Sequence, residues 1–399
     1  MIVIDALDEC KDEEPASAIL SVLGRLVGDI PMVKFFLTGR PEPRIQTGFR
    51  LPLLAKWTDV FILHNVQPSL VNEDIRLLFK HNLSELASRR GELGNWPTEH
   101  QLDLLCKRAA GLFVYAVATV KFLDHKRSTP PKRLNLLLEL PESTAREGKT
   151  KFKPNTTLDS LYASILDEAF DEDDSEDDPK VRSVLGAVVL AANPLSPSAI
   201  ASLLEFDTED VFLLLTSVQS LLTLSEDLKH PVRPFHKSFP DFLTDSTWCI
   251  NERFHVPTPT HQTELLICCL ELMNRKLESN MCTLPDTILN SEAGDLTDRV
   301  ECSIDDALQY ACRSWYKHLV DAPSLVIHTP AITRAIHHFL EKKFLVWLEV
   351  LSILDTVRDA VRALDAVAKW LRQVCDFAVY RLTFIHFRLV PGLAYSFPC

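Results

Sequence analysis

Near the N-terminus, Ile2-Val3-Ile4-Asp5-Ala6-Leu7-Asp8-Glu9 runs a β-branched apolar segment directly into acids. A buried strand that ends on a carboxylate presents a hard oxygen at the C-terminal edge of a sheet. From that edge nucleotide-hydrolysing proteins hold Mg2+. The acids three and four residues beyond Asp5 are placed to polarise an attacking water. A strand ending on one acid is common for structural reasons alone; the further pair, Asp8 and Glu9, makes the pattern more specific. A second strand-like run, Phe35-Phe36-Leu37, ends in Thr38-Gly39-Arg40-Pro41. An Arg at the tip of a neighbouring strand is suited to sensing a phosphate, because its planar fork of donors matches the anion.

The elements that must position these groups are legible in outline. Met1–Ile4 and Val33–Leu37 read as buried strands, Val60–Leu63 as a third, and Glu13–Gly28 as the helix between the first two. Strand alternating with helix predicts a partial parallel sheet over 1–65. The pattern then turns helical over 66–126. Asn72 is the expected N-cap of one helix, Thr98 and Gln101 match a capping box for the next, and a nearly all-apolar helix runs from Gly111 to Leu123. Residues 127–157 are linker-like, with a short helix expected over Leu134–Leu140. Residues 158–250 predict three helices and a hairpin, a compact winged helix. In it Ser196 is an N-cap with Pro197 at the first helical position, Thr208 caps the third helix, and strands lie at Leu221–Ser225 and Val232–His236. Residues 251–355 are a further helical domain. A helix and an unassigned tail occupy 356–399. The fold class expected is α/β followed by mostly α.

Ile2–Glu9 followed by Phe36–Glu42 resembles the Walker B and sensor 1 strands of NACHT-type STAND NTPases, the class of the NOD-like receptors and of many fungal, notably basidiomycete, proteins. Ala110-Gly111-Leu112-Phe113-Val114 is similar to the family's GLPL-like motif, with Phe113 where many relatives have Pro. Phe235-His236-Lys237-Ser238-Phe239-Pro240-Asp241-Phe242-Leu243 looks like the end of its winged helix. The resemblance spans roughly residues 1–355. It implies that Asp5 is the Mg2+ ligand, Asp8 and Glu9 the hydrolytic acids and Arg40 the sensor. Gly111 and Phe113 would lie by the nucleotide, and His236 would latch ADP in the closed state. It further implies ATP/ADP and Mg2+ as cofactors, oligomerisation with related NACHT proteins, and a signalling switch in which ADP holds the winged helix closed.

The family's phosphate loop, GxxxxGK[ST], would precede the Walker B strand, and the sequence opens at that strand. The one lookalike, Ser143 through Gly148-Lys149-Thr150, has Ser in place of the first Gly, follows the strand, and meets Pro154 where its helix should be starting. Because that loop and its Lys supply most of the nucleotide's binding energy, the expectation is a truncated polypeptide that binds ATP weakly or not at all and hydrolyses none alone. Two other expectations compete with it. One is a non-catalytic module docking to full-length relatives. The other is an inert fragment with an exposed sheet edge.

Composition narrows the field. Lys and Arg number 42 against 55 Asp and Glu, a net charge of −13 over 399 residues. The predicted third helix of the winged-helix segment carries no Lys or Arg, so nucleic-acid binding is not expected. Asp171–Asp178 holds seven acids in eight residues and reads as a solvated insertion. The ten Cys form no CxxC, and no His spacing matches a metal motif. Reduced thiols, no signal-like N-terminus and no apolar run near the ~20 residues of a bilayer span predict a cytoplasmic protein without a membrane segment. Trp315, Trp347 and Trp370 fall in helical patterns as expected core residues.

Overall fold

The computed structural model describes residues 1–10, 13–30, 32–40, 42–63, 66–91, 96–124, 129–139, 156–170, 178–285, 294–322 and 330–374. The GKT lookalike, most of the acidic run and the tail after 374 lie outside these. The chain is mostly helical and divides into two compact units, Met1–Val71 and Asn72–Cys399.

In the first unit, β1 (Ile2–Ile4) and β2 (Phe35–Leu37) pair in parallel, with Ile2 opposite Phe35 and Ile4 opposite Leu37. Helix α1 (Glu13–Leu26) connects them, as parallel pairing requires. Helices α2 (Pro43–Phe49) and α3 (Pro52–Ala55) follow, each opened by a Pro whose fixed φ suits a helical first turn. Leu7, Ala16, Leu20, Leu23, Ile45 and Leu54 form the core, with Ile4, Phe35 and Leu37 packed against it. Gly48 lets α2 approach α1 closely, since a Cβ there would collide with Leu20. The alternating partners Val3 and Phe36 point away from this core and are each 56% exposed.

Val60–Leu63 is not a strand. Among the described residues no ladder partner reaches it, and all four side chains are more than half exposed. Strand propensity reflects packing on a pleated surface, and without a neighbour it forms nothing.

Helix α4 (Pro68–Arg90) starts earlier than the expected cap. Asn72 therefore lies a turn inside the helix, because Pro68 already supplies the starting geometry. In α5 (Glu99–Ala109), Thr98 Oγ1 accepts from Gln101 N–H while Thr98 N–H donates to Gln101 Oε1, closing the capping box. Helix α6 (Phe113–Leu123) buries Tyr115, Ala116, Ala118, Thr119, Phe122 and Leu123. Within the linker-like stretch, α7 (Pro130–Glu139) is a packed helix with Leu134 and Leu137 buried.

Helices α8 (Thr156–Ala169), α9 (Asp178–Leu190), α10 (Pro197–Leu204) and α11 (Thr208–Ser217) precede an antiparallel pair, β3 (Leu222–Thr223) and β4 (Arg233–Pro234). Ser196 caps α10 by accepting from Ala199 N–H. The cap of α11 is Asp207, which accepts from Glu209 and Asp210, so Thr208 is its first helical residue. The short α12 (Ser238–Thr244) leads to α13 (Thr258–Lys276), α14 (Leu296–Ser303), α15 (Asp306–Asp321), α16 (Pro330–His338), α17 (Phe344–Ile353) and α18 (Arg358–Val374). A π-helical turn, Phe339–Lys343, joins α16 to α17. Trp315, Phe339 and Trp347 meet edge to face there, with centroids 5.2 to 6.0 Å apart, and Trp347 Nε1 donates to Cys312 O at 2.9 Å. Trp370 is buried on α18. Cys269 is fully buried and Cys268 half-buried, and burial raises both thiols.

Arg133 fastens α6, α7 and α8 together. Its buried guanidinium pairs with Glu168 at 2.6 Å, donates to Phe122 O and lies over the Phe122 ring. Removing one partner of a largely buried pair leaves the other charge uncompensated. Arg133→Ala is expected to cost about 2–4 kcal/mol, read by urea unfolding. Arg133→Ala with Glu168→Gln is expected to cost less than the sum of the two single changes.

Candidate functional site

At the C-terminal ends of β1 and β2 the chain turns sharply. Thr38 N–H donates to Ile4 O at 3.0 Å and Leu7 N–H to Thr38 O at 2.9 Å, so the ladder continues one step beyond the strands. Between them Ala6 takes a left-handed conformation, φ 51°. That conformation is unfavourable for a residue with a Cβ and needs support. The Thr38 hydroxyl supplies it, accepting from Ala6 N–H at 2.8 Å and donating to the Asp5 carboxylate. Asp5 is exposed at this edge with its carboxylate fixed from one side.

The turn sends Leu7 into the core and buries Asp8 at 6% exposure. Asp8 Oδ1 accepts from Arg40 N–H at 3.0 Å, and Oδ2 lies 3.6 Å from Arg40 Nε. Asp8 thus braces the loop that carries Arg40, whose own side chain is half exposed. The side chain of Glu9 lies outside the described residues. Asp5, Asp8 and Arg40 therefore gather at one sheet edge with Thr38. Thr38 is not among the residues that the motif singles out. Its only local signal is its place at a strand end, directly before Gly39-Arg40.

Asp5 offers one hard-oxygen donor, which suits Mg2+ held jointly with a substrate's phosphates. Among the described residues no group of three or more His, Cys, Asp or Glu is arranged to hold a metal by itself.

Gly111, Phe113 and His236 belong to the second unit. Gly111, φ 82°, follows the left-handed C-cap Ala110 and turns the chain from α5 into α6, leaving Phe113 exposed at the start of α6. His236 lies between β4 and α12 and is exposed. Its Nδ1 is 2.7 Å from Ser238 Oγ and 3.2 Å from Ser238 N, whose N–H points at it. Ser238 Oγ is in turn 2.7 Å from the hydroxyl of Tyr162 on α8. Tyr162 is gripped by Phe239 and Phe242, centroids 5.3 and 5.5 Å away. Burial, foremost, raises its hydroxyl to about 12. At Phe235, the residue before His236, the Lys121 ammonium of α6 sits 3.7 Å from the ring centroid, and burial lowers the Lys121 pKa.

Asp159, one turn before Tyr162, is half-buried. Burial, and then the nearby Asp245 carboxylate, push it up to about 6. Asp245 is itself held by the Thr247 N–H and hydroxyl. Neither Tyr162 nor Asp159 was distinguishable in sequence from any other helical residue near an apolar stripe.

The chain is similar to vegetative incompatibility protein HET-E-1 of Podospora anserina. The two are 25% identical over 386 residues, covering 91% of this chain and 26% of that protein. The chain thus spans about a quarter of the curated relative it matches. No family model and no solved structure matches it. No described helix is long and apolar enough to cross a membrane.

Two outcomes follow. Thr38→Val strands the Ala6 N–H, an expected local cost of about 1–2 kcal/mol. Hydrogen exchange at Ala6 is expected to quicken roughly tenfold, with Thr38→Ser near wild type. For Asp159, the folded chain between pH about 4 and 6 keeps a proton that the unfolded chain has released, so stability falls as pH rises through that window. Asp159→Asn is expected to stabilise the protein by about 1–2 kcal/mol at pH 7. An equal gain at pH 4, measured by denaturant titration, would place the effect elsewhere.

Proposed function

We propose that this chain carries part of a nucleotide-regulated signalling switch of the NACHT type: its metal-binding and phosphate-sensing strands, its helical domain and its nucleotide-contacting His. The carrying observation is the parallel β1–β2 pair, with Asp5, Thr38 and Arg40 gathered on its C-terminal edge. Ligands of open α/β sheets bind at that edge. The helices α9–α11 followed by the β3–β4 hairpin support a winged helix ending in the His236 loop. Similarity to a vegetative incompatibility protein supports a signalling role over metabolic catalysis.

In this reading Asp5 would share Mg2+ with the nucleotide, and Arg40, braced by Asp8, would meet the terminal phosphate. Gly111 and Phe113 would flank the base side, and His236 would contact the diphosphate. A bound nucleotide would supply the anionic oxygens that these groups require. No GxxxxGK[ST] loop occurs in the sequence. The 399-residue polypeptide alone is therefore proposed to bind ATP weakly or not at all and to turn none over.

The apolar surface of the first unit favours a second reading, a non-catalytic module that docks to related NACHT proteins. Val3 and Phe36, paired across the strands, and Trp57 and Val60–Leu63 are all more than half exposed, and exposed apolar side chains suit an interaction surface where they are contiguous.

Calorimetric titration with Mg-ATP separates the two. The switch reading predicts no micromolar binding by the chain alone. It predicts Mg2+-dependent turnover once a P-loop-bearing segment from a related protein is supplied, and loss of that turnover in Asp5→Asn and Arg40→Ala. Restored turnover indifferent to Asp5→Asn would sink it. Mixed oligomers with relatives but no turnover would favour the docking module.

A further inference from the structure

We infer that α18 carries a second apolar row through which two copies of this chain pair, helix against antiparallel helix, about a two-fold axis beside Ala368. The inference does not rest on the nucleotide reading.

On a helix, positions spaced by three and four residues share a face. Helix α18 has two such rows. Ala360, Ala363, Val367 and Trp370 form the first and are buried, and α18 packs against α15 and α17. Its first turn is tied to α15 by the Tyr316 hydroxyl, which donates to Asp359 at 3.2 Å. Val361, Leu364, Ala368 and Leu371 form the second row, a step further around the same helix. Val361 is 71% exposed, and the other three are only half-buried. One apolar face is enough to seat a surface helix on its own domain. A second row with the spacing of a helix–helix seam suits a partner helix, whose side chains fill the gaps between its own.

Charge selects the partner. One side of the second row is the buried face of α18. The open side carries Arg358, Asp365 and Arg372, seven residues apart and all exposed. These are the charges that a helix laid on the row would meet. In an antiparallel pair with its axis between Ala368 and Leu371, Asp365 of each copy lies beside Arg372 of the other. The same axis sets Ala368 of each copy against Leu371 of the other, small against large. Sliding one helix by a heptad would instead bring the two Asp365 carboxylates together and set Arg358 against Arg372. A parallel pair would set all three charges against the apolar side of the other helix. Like charges facing one another suppress the wrong register, and a patch that complements itself under two-fold rotation is what a closed dimer requires. Within its own helix Asp365 pairs with Lys369 at 2.8 Å, both side chains being well exposed. Such a surface pair is weak enough to give way to a new partner.

The test is sedimentation velocity on the 399-residue chain across the micromolar range. The wild type is expected to show a concentration-dependent monomer–dimer equilibrium. Asp365→Arg and Arg372→Asp, each alone, set like charges against each other and are expected to weaken the dimer about ten-fold. An equimolar mixture of these two variants is expected to recover it, because each new side chain then meets its opposite on the other copy. The double variant, with the charges exchanged within one chain, is expected to recover it too. Both recoveries also show that the single variants fold. Ala368→Glu places a charge at the axis and should abolish the dimer. A wild type that stays monomeric throughout overturns the proposal and assigns the row to another occupant. A dimer indifferent to both single charge changes overturns it, as does a mixture that pairs no better than either variant alone.

Discussion

Where β1 and β2 run out together, one hydroxyl meets two obligations. Parallel strands ending in register leave polar backbone groups at a common edge, and those groups need partners. Thr38 takes the Ala6 N–H and gives its own proton to Asp5, so the left-handed turn at Ala6 becomes tenable. That turn decides the direction of everything after it. Leu7 drops into the core under α1, Asp8 is buried with it, and Asp8 in turn holds the backbone and guanidinium of Arg40. Local strain at this edge is thus tied to a small core and to the placement of a carboxylate and a guanidinium side by side.

The second unit repeats the logic in another material. Its core is a set of aromatic rings and apolar helix faces, and the polar groups at two of its junctions are met by partners there. Tyr162 is held by Phe239 and Phe242 and delivers its hydroxyl to Ser238, which orients His236. Arg133 enters the interior between α6, α7 and α8 only because Glu168 and the Phe122 carbonyl meet it there. Rigid packing far from the surface therefore sets the pose of exposed groups on the surface, as a binding site on a loop requires.

The parts of the fold carried by local chemistry were legible. The β-branched run ending on Asp5 marked β1, the apolar run ending on Thr38 marked β2, the Thr98–Gln101 spacing marked a capping box, and Ser196-Pro197 marked the start of α10. Local chemistry also misled where two signals competed. Pro68 starts α4 ahead of Asn72, and Asp207 caps α11 ahead of Thr208. Val60–Leu63 carries every intrinsic mark of a strand and lacks only a partner, which no single segment can reveal. At the candidate site Asp5, Asp8 and Arg40 stood out by motif. Their organising residues did not, because Thr38 meets Asp5 across 33 positions and Tyr162 meets Ser238 across 76. Such pairings exist only once the chain has folded.

The central proposal is that the sheet edge bearing Asp5 and Arg40 answers to a divalent cation held with a nucleotide's terminal phosphate. Electron paramagnetic resonance of Mn2+, with the chain supplemented by a P-loop-bearing segment and ATP, addresses this most directly. The account predicts a protein-bound Mn2+ signal that requires ATP and is lost in Asp5→Asn. A bound signal of equal strength in Asp5→Asn would contradict it.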